Sequence, residues 1–394
     1  MNRPEIIVIG GGVIGSSITY YLSKMGKKVL MIEKKDNCSG SAGASDGVVG
    51  YHTKKPGLQM ELAIRSIAMF EELSKELGMD IEYRKDCGGM QPAETKLEWE
   101  ILSEIVKEQR QSGVDIRMIS IEEACKIEPQ LNPDLYGALY SPTSGKVNPI
   151  RLTFAYVQAA KRLGAQVLSN TEVTDVLVKM GRVMGVETSK GTYYADQVID
   201  AAGSWAAEIA AMAGVDLPIR PRKGQLFITE PLGPFMDVTL QCARYNVIKF
   251  KPEAVGDKAV LRMGASLSIE QTENGGLVIG STREFVGYDR ENTLEAMEVT
   301  MRRAMRFFPA LKDVNIIRAF AGLRPFTPDG IPVIGEVEKL PGFFVAAGHE
   351  GDGIALAPIP GKLMAELLVQ GKSSYPLEAF SPNRFRRWSE GDFE

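Results

Sequence analysis

Near the amino terminus, continuous apolar runs flank a segment in which apolar residues have a helical spacing. Ile6–Ile9 is a run of branched apolar residues, which predicts a strand buried on both faces. Apolar residues then recur every three or four positions up to Met25, and Gly26 follows as a helix stop. A second apolar run, Val29–Ile32, ends at Glu33. The pattern predicts a strand–helix–strand unit of about 30 residues.

Two later parts of the chain also have clear patterns. Apolar positions alternate with polar ones from Val176 to Val186, and glycines mark the turns, which predicts a small antiparallel meander that returns to a core strand at Val198. Phe343–Ala347 predicts another buried strand, followed by a glycine turn and a helix that ends near Gln370. Between these parts, a charged amphipathic helix is predicted to end before a proline, over residues 294–308.

Three glycines between the first strand and the first helix have the spacing Gly-x-Gly-x-x-Gly. Gly10 permits a tight turn, Gly12 lets the backbone approach a pyrophosphate, and Gly15 lets the helix pack closely on the sheet. The helix amino terminus offers N–H groups and a positive dipole end to the phosphates. Glu33 stands where a carboxylate accepts hydrogen bonds from a ribose diol, which disfavours NADP. The sequence predicts a dinucleotide-binding unit.

This unit by itself fits either NAD or FAD. Residues 39–50 are small and have little to pack, so they form either a flexible linker or a wrap around a long, bent cofactor. The wrap is favoured because the loop directly follows the dinucleotide-binding unit and returns to Val48 and Val49. The glycine turn after Phe343–Ala347 would also point a helix dipole at the pyrimidine end of a flavin, where reduction builds negative charge. FAD is therefore favoured over NAD.

The composition restricts the chemistry. The 394 residues include 2 His and 4 scattered Cys, so a His-rich metal site is excluded and no metal is predicted. Any catalytic triad would have to use His52 or His349. The net charge of −4, without a basic block, predicts no nucleic-acid partner. Unpaired cysteines, the lack of an 18-residue apolar run and an early first strand predict a cytoplasmic protein without a transmembrane segment or a signal peptide.

Five blocks, in order, resemble the D-amino-acid oxidase superfamily of FAD enzymes. The resemblance is to the branch that contains glycine oxidases, sarcosine oxidases and the β subunits of heteromeric amino-acid dehydrogenases. It extends over nearly the whole chain, and the paired carboxy-terminal blocks are its most specific part. The blocks are residues 10–15 with Glu33, 41–50, 201–205, 222–225, and 322–335 with 348–354.

The resemblance implies an α/β fold with two interleaved domains. One is a Rossmann-like FAD-binding domain of the glutathione-reductase type, expected at residues 1–85, 146–220 and 316–394. The other is a mostly antiparallel α+β substrate-binding domain, expected at residues 86–145 and 221–315.

The resemblance also implies non-covalent FAD, because neither histidine lies in a pattern typical of a covalent histidyl-flavin. The residues expected to bind FAD are Gly10, Gly12, Ile14, Gly15, Glu33, Lys34, Ala42, Gly43, Ser45, Gly47, Val48, Val49, Val173, Ala202, Gly203, Trp205, Gly348, Glu350, Gly351, Asp352, Gly353 and Ile354.

The chemistry implied by the family is hydride transfer from an amine-bearing carbon to flavin N5, followed by hydrolysis of the imine. Arg324 is expected to bind the substrate carboxylate, since its fork matches a planar carboxylate better than lysine would. The alternative for Arg324 is a surface ion pair. His349 either contacts the cofactor and takes part in the chemistry or has a structural role. For His52 a structural role is favoured.

The chain departs from the glycine oxidase pattern at two positions. Gly351 stands where those enzymes commonly have a second arginine, and Ser268 aligns with a tyrosine on a strand of the substrate domain. Glycine is therefore not the expected substrate. A bulkier or secondary amine, such as proline, hydroxyproline or an N-alkylated amino acid, is expected instead.

Several functions remain open from the sequence. The favoured one is an amino-acid or imino-acid dehydrogenase, the subunit of a larger assembly that passes electrons to partner subunits. A free-standing oxidase that produces hydrogen peroxide is the second. A flavin-binding electron-relay or scaffold subunit is a third, and an NAD-dependent dehydrogenase is the least favoured.

Overall fold

The computed structural model describes residues 3–254, 262–385, 388 and 391. In that part of the chain the strands, β1 to β19 in chain order, are Ile6–Ile9, Val29–Ile32, Val48–Val49, Gly89–Ala93, Arg117–Ile119, Gly137–Ser141, Gly145–Lys146, Gln166–Leu168, Val173–Lys179, Arg182–Thr188, Gly191–Tyr194, Gln197–Asp200, Arg220–Thr229, Thr239–Gln241, Ser268–Gln271, Leu277–Gly280, Ile316–Phe326, Val333–Glu336 and Phe343–Ala347. The α-helices, α1 to α10, are Val13–Lys24, Leu58–Leu77, Lys96–Arg110, Ile121–Ile127, Pro149–Arg162, Ala206–Met212, Ala243–Phe250, Leu294–Phe307, Gly353–Leu356 and Pro358–Gln370. Short 3-10 helices include Ser41–Ala44 and Gly203–Trp205.

A six-stranded sheet has the order β18-β19-β12-β1-β2-β8, and its strands are parallel except for the β18–β19 pair. Successive side chains of a strand point to opposite faces. Accordingly, Ile6 and Val8 pack in a core with α1, α5 and α10, while Ile7 and Ile9 pack in a second core with the β9–β11 meander and α6. Both faces are covered, which explains the continuous apolar runs. The predictions of β1, β2, β12 and β19 are confirmed.

The predicted meander is also confirmed. Strands β9, β10 and β11 form a three-stranded antiparallel sheet, with Gly181 and Gly191 at positive φ in or beside its turns. The predicted amphipathic helix is α8, which begins after an Ala296 N–H bond to the Thr293 side chain and ends one residue before Phe308.

The largest sheet has eight strands in the order β17-β13-β16-β15-β14-β4-β6-β5, antiparallel except between β14 and β4. Its longest pairing joins β13 to β17, and β3 pairs with β7 in a separate small sheet. The expected segment 316–394 thus begins with a strand of this eight-stranded sheet. The predicted division into two domains stays a prediction, but the mixed α/β class is confirmed.

Within the described residues, none of the helices has the length and apolar character needed to cross a membrane.

Candidate active site

A cavity of about 400 Å³ lies at the carboxyl ends of the central parallel strands. Gly10 follows β1, Glu33 follows β2, Ala201 follows β12 and His349 lies just beyond β19, and all four line the cavity. In open α/β sheets this edge is where ligands bind.

The glycine turn after β1 leaves open space beside the amino terminus of α1. Gly10 has φ +110°, and a Cβ atom on Gly15 would overlap the carbonyl oxygen of Gly10. By contrast, no atom of the described residues lies within 4 Å of a Cβ built on Gly12. No side chain caps α1, and its first turn contains no acidic residue. Uncapped N–H groups beside open space fit the phosphates of a dinucleotide.

Glu33 is held at the other side of this turn by two backbone groups. Its Oε2 accepts a hydrogen bond from Gly11 N–H at 2.8 Å, and its Oε1 accepts one from Lys35 N–H at 2.8 Å. A carboxylate has about four acceptor positions, so Glu33 retains capacity for ribose hydroxyls. Lys34 also lines the cavity, and its Nζ lies 2.6 Å from Glu172.

Most of the residues expected to bind a cofactor lie together in the cavity wall. They are Gly10, Gly12, Ile14, Glu33, Lys34, Ala42, Ser45, Val173, Ala202, Gly203, Trp205, Glu350, Gly351, Gly353 and Ile354.

The other expected residues lie behind this wall, where close packing explains them. A Cβ on Gly43 would overlap the carbonyl oxygen of Cys38, and one on Gly47 would overlap that of Val147. The structure likewise places Gly15, Gly348 and Asp352 outside the wall, while Val48 and Val49 form β3 and pair with β7.

Arg324 projects from β17 into the wall of the cavity. Its Nη1 donates a hydrogen bond to the carbonyl oxygen of Thr282 at 2.9 Å. Gly224, on the neighbouring strand β13, makes room for the guanidinium, because a Cβ there would lie 2.6 Å from its Nη2. A Cβ on Gly351 would lie 3.5 Å from its Nε. Arg324 thus stands between two glycines, at the cavity surface.

The turn after β19 supplies a neutral imidazole and a carboxylate. His349 lines the cavity, burial lowers its pKa to about 4, and its Nε2 has no partner among the described residues. Glu350 forms a salt bridge with Arg222 and accepts a hydrogen bond from Gly351 N–H at 2.6 Å. His349 is therefore uncharged at neutral pH and available as a hydrogen-bonding group.

The surroundings of Glu350 are strongly positive. Burial alone would raise the pKa of Glu350, but Arg222 and Lys249 outweigh it, and the pKa lies well below its usual range. Arg283 and Arg324 act in the same direction. This end of the cavity is thus suited to an anion, such as a carboxylate.

The family model of the FAD dependent oxidoreductases (DAO) matches residues 5–367. The chain belongs to this family. A glycine oxidase from Geobacillus kaustophilus is 30% identical over 391 residues, covering 97% of each protein. Hydrogen cyanide synthase subunit HcnC from Pseudomonas aeruginosa is 29% identical over 429 residues, covering 98% of this chain and 97% of that protein.

Solved structures of DAO-type enzymes show the same fold. L-proline dehydrogenase from P. horikoshii has a TM-score of 0.86 and 31% identity, covering 98% of both chains. The structure of glycine oxidase from Geobacillus kaustophilus has a TM-score of 0.86 and 29% identity, covering 98% of this chain and 99% of that one. The predicted FAD-binding fold, the FAD cofactor and the class of FAD-dependent amino-acid oxidoreductase are confirmed at the level of the DAO family.

Among the residues lining this DAO-family cavity, sequence reasoning missed a tyrosine and an aspartate, and it also missed an arginine that stacks on the tyrosine. Tyr245 on α7 and Asp46 after the first 3-10 helix both line the cavity, although Ser268 was the position aligned with a family tyrosine. Ser268 lies on β15 and donates a hydrogen bond to Asp46 at 2.8 Å. Arg283 stacks on the ring of Tyr245 at 4.1 Å, and its Nε and Nη2 are buried without a partner among the described residues. The only signal in the sequence was the polar character of these positions.

Proposed function

We propose that this enzyme oxidises an amino or imino acid at the carbon that bears the amine. Bound FAD supplies the hydride acceptor, and the imine product then hydrolyses in water. The observation that carries the proposal is the position of Arg324 at the cavity wall, with one donor used by Thr282 and further donors for a ligand. A guanidinium fork binds a planar carboxylate with two parallel hydrogen bonds.

The cofactor-binding roles follow from the same geometry. We assign the pyrophosphate to the turn around Gly12 and the start of α1, and a ribose to Glu33, because these groups offer N–H donors and carboxylate acceptors respectively. His349 and the following glycines are assigned to the flavin end of the cavity, where a neutral imidazole can exchange hydrogen bonds without adding charge.

The substrate is proposed to be bulkier than glycine or to be a secondary amine, such as proline, hydroxyproline or an N-alkylated amino acid. Gly351 supports this, since it has no side chain and faces Arg324, which leaves room beside the carboxylate site. A proline dehydrogenase is among the similar structures, although glycine oxidases are as well.

The electrons are proposed to pass to a partner subunit rather than to oxygen. HcnC, which is similar over its whole length, is by name a subunit, and this supports an assembly. The competing function is a free-standing oxidase that releases hydrogen peroxide, as the similarity to glycine oxidases suggests. A cytoplasmic location stays a prediction.

An anaerobic screen of amines tests the reaction. Flavin absorbance should bleach with a carboxylate-bearing amine such as proline and not with pyrrolidine, which has the same ring amine without the carboxylate. Arg324→Ala should raise the substrate concentration for half-maximal bleaching roughly 10- to 150-fold, because the substrate carboxylate loses a charged hydrogen bond. Arg318→Ala is the matched control, since Arg318 is exposed on the same strand. If no amine bleaches the flavin, the protein is an electron-relay or scaffold subunit.

The rate of flavin reoxidation after air is admitted to the bleached protein distinguishes oxygen from a partner subunit as the electron acceptor. Slow reoxidation without stoichiometric peroxide is the expected result. Rapid reoxidation with one peroxide per flavin would instead establish the oxidase function.

A further inference from the structure

We propose that Asp46 and Glu270 form a carboxyl pair that shares one proton and accepts the proton of the substrate's ammonium group. The inference rests on the proposed function, because only amine oxidation needs such an acceptor. Asp46 would be the group that contacts the substrate, and Glu270 a positioning residue behind it.

The two carboxyl groups are linked through one peptide unit and interact through their charges. Asp46 lines the cavity together with Arg324 and Tyr245. The N–H of the next residue, Gly47, donates a hydrogen bond to Oε1 of Glu270 at 2.8 Å. Glu270 is only 6% exposed, and its Oε2 is buried without a partner among the described residues. An ionised carboxyl group is costly when one of its oxygens is buried without a donor, which favours a proton on the group.

The charges around the pair support this protonation. Burial and the neighbouring Asp46 raise the pKa of Glu270 to about 8, while Lys146 on β7 acts in the opposite direction. Lys146 is itself occupied by the carbonyl oxygen of Gln271. At neutral pH the pair therefore holds one proton and one negative charge.

Two other titratable groups near the pair stay neutral in the same pH range. Burial raises the pKa of Cys87, which precedes β4, to about 11. Burial also raises the pKa of Tyr245, which lies on α7 and lines the cavity together with Asp46. A transition near pH 8 is therefore assigned to the pair.

A chain of hydrogen bonds fixes the orientation of Asp46. Burial lowers the pKa of His52 to about 4, so its imidazole is neutral, and Nε2–H can donate to Oε1 of Gln241 at 2.6 Å. The amide of Gln241 donates to Ser268 Oγ at 3.2 Å, and Ser268 donates to Oδ2 of Asp46 at 2.8 Å. Because Oδ2 is occupied, Oδ1 is the oxygen available to a ligand. His52 is thus a positioning residue, not a catalytic one.

The transfer of the ammonium proton to the pair takes two steps. An amino acid arrives as an ammonium ion, whose charge favours release of the shared proton of the pair to solvent. The ammonium N–H bond then breaks, an O–H bond forms on Asp46, and the electron pair stays on nitrogen. That lone pair forms the C=N bond as the hydride leaves the neighbouring carbon. Since an alkylammonium group has a pKa of roughly 10, the pair is a closer match than an isolated carboxylate of roughly 4.

Rapid mixing under anaerobic conditions, with the best amine of the screen, tests the pair. In the wild type, the limiting rate of flavin bleaching should rise with a midpoint near pH 8. In Asp46→Asn and Glu270→Gln the midpoint should move up by at least about one pH unit, toward the pKa of the free ammonium ion. The rate of flavin bleaching at pH 7 should fall at least about tenfold in both variants. Glu273→Gln, an exposed carboxylate just after β15, is the control that should follow the wild type.

Infrared difference spectra of the substrate-free protein give a readout that does not depend on turnover. A protonated carboxyl group should disappear near pH 8 in the wild type and be missing from Glu270→Gln. Identical rate profiles for both variants and the control, or no carboxyl titration near pH 8, would overturn the pair while the proposed function stands. Failure of every amine to bleach the wild type would overturn the proposed function and the pair together.

Discussion

The Nζ of Lys54 lies 2.8 Å from Oδ1 of Asp352, and the two side chains are 2% and 1% exposed. Asp352 also accepts from Lys249 Nζ at 2.9 Å and from the Gln59 amide at 2.7 Å. One buried carboxylate thus balances two ammonium groups that come from different parts of the chain. This arrangement fixes the turn that carries His349 and Glu350 against α2 and α7.

Asp352→Asn should destabilise the fold by about 3–5 kcal/mol, because it removes the carboxylate that pairs with the buried Lys54 and with Lys249. Burial alone would raise the pKa of Asp352, but Lys249 and Lys54 outweigh it and lower the pKa. The stabilisation is therefore present above the ordinary value of about 4 and is lost as the pH falls through the folded-state pKa.

Denaturant unfolding at several pH values checks this prediction. The difference between wild type and Asp352→Asn should shrink in acid. The control Asp196→Asn breaks an exposed pair with Arg3 and should cost under about 1 kcal/mol at neutral pH. Equal effects of the two variants at neutral pH would contradict the role of Asp352.

Gly12→Ala should separate folding from cofactor binding. The new Cβ meets no atom within 4 Å in the part of the chain that the structure describes, so the free energy of unfolding of the apoprotein should change by less than about 1 kcal/mol. The same methyl group enters the space assigned to the pyrophosphate, so FAD affinity, measured by quenching of flavin fluorescence, should fall at least about tenfold. Gly15→Ala should instead lower both quantities, since its Cβ overlaps the Gly10 carbonyl. Unchanged FAD affinity in Gly12→Ala would refute the assignment.

Gly224→Ala should displace Arg324 without unfolding the protein. The added Cβ would lie against the guanidinium, which is the mobile end of a long side chain, so the melting temperature should stay close to that of the wild type. The Michaelis constant for a carboxylate substrate should rise about 10- to 100-fold. Gly233→Ala is the control, because the described residues place no atom within 4 Å of a Cβ there. A wild-type Michaelis constant in Gly224→Ala would count against the carboxylate role of Arg324.

Glu128→Gln should stabilise the protein at alkaline pH. Burial raises the pKa of Glu128 to about 7, and its Oε2 accepts from Asp237 N–H at 3.3 Å, which glutamine can also do. Because the folded state holds the proton more tightly than the unfolded state, the wild type loses stability as the pH rises from about 4.5 to 7. Over that pH range the melting temperature should fall less in Glu128→Gln than in the wild type. Parallel curves of melting temperature against pH for the two proteins would disprove the raised pKa of Glu128. Glu123→Gln, at an exposed position on α4, is the control.

Those elements of the fold that are determined by residues close together in the sequence were predictable. β1 and β2 were predicted with their observed bounds, because burial on both faces requires unbroken apolar runs. The helix end near Gln370 was also predicted, and in the structure Gly371 follows it with φ +72°.

The substrate end of the cavity was less accessible to prediction. Asp46 and Glu270 are distant in sequence, and the hydrogen bond from Gly47 N–H to Glu270 holds β15 against the loop before β3. Neither residue type nor spacing indicates such a contact. The sequence comparison aligned Ser268 with a family tyrosine, and Ser268 does lie on a strand, β15. The tyrosine that lines the cavity is instead Tyr245, which lies on α7.

The order of strands in the six-stranded sheet has a consequence for synthesis on the ribosome. β1 is made first, yet its neighbour β12 ends at Asp200, and the next strand, β19, ends at Ala347. A growing chain therefore exposes unpaired apolar strand edges during most of translation, and such edges invite aggregation. Chains stalled before Phe343 should remain sensitive to protease, and chains stalled well past Ala347 should be protected. Cofactor loading is therefore expected to follow the emergence of β19 from the ribosome.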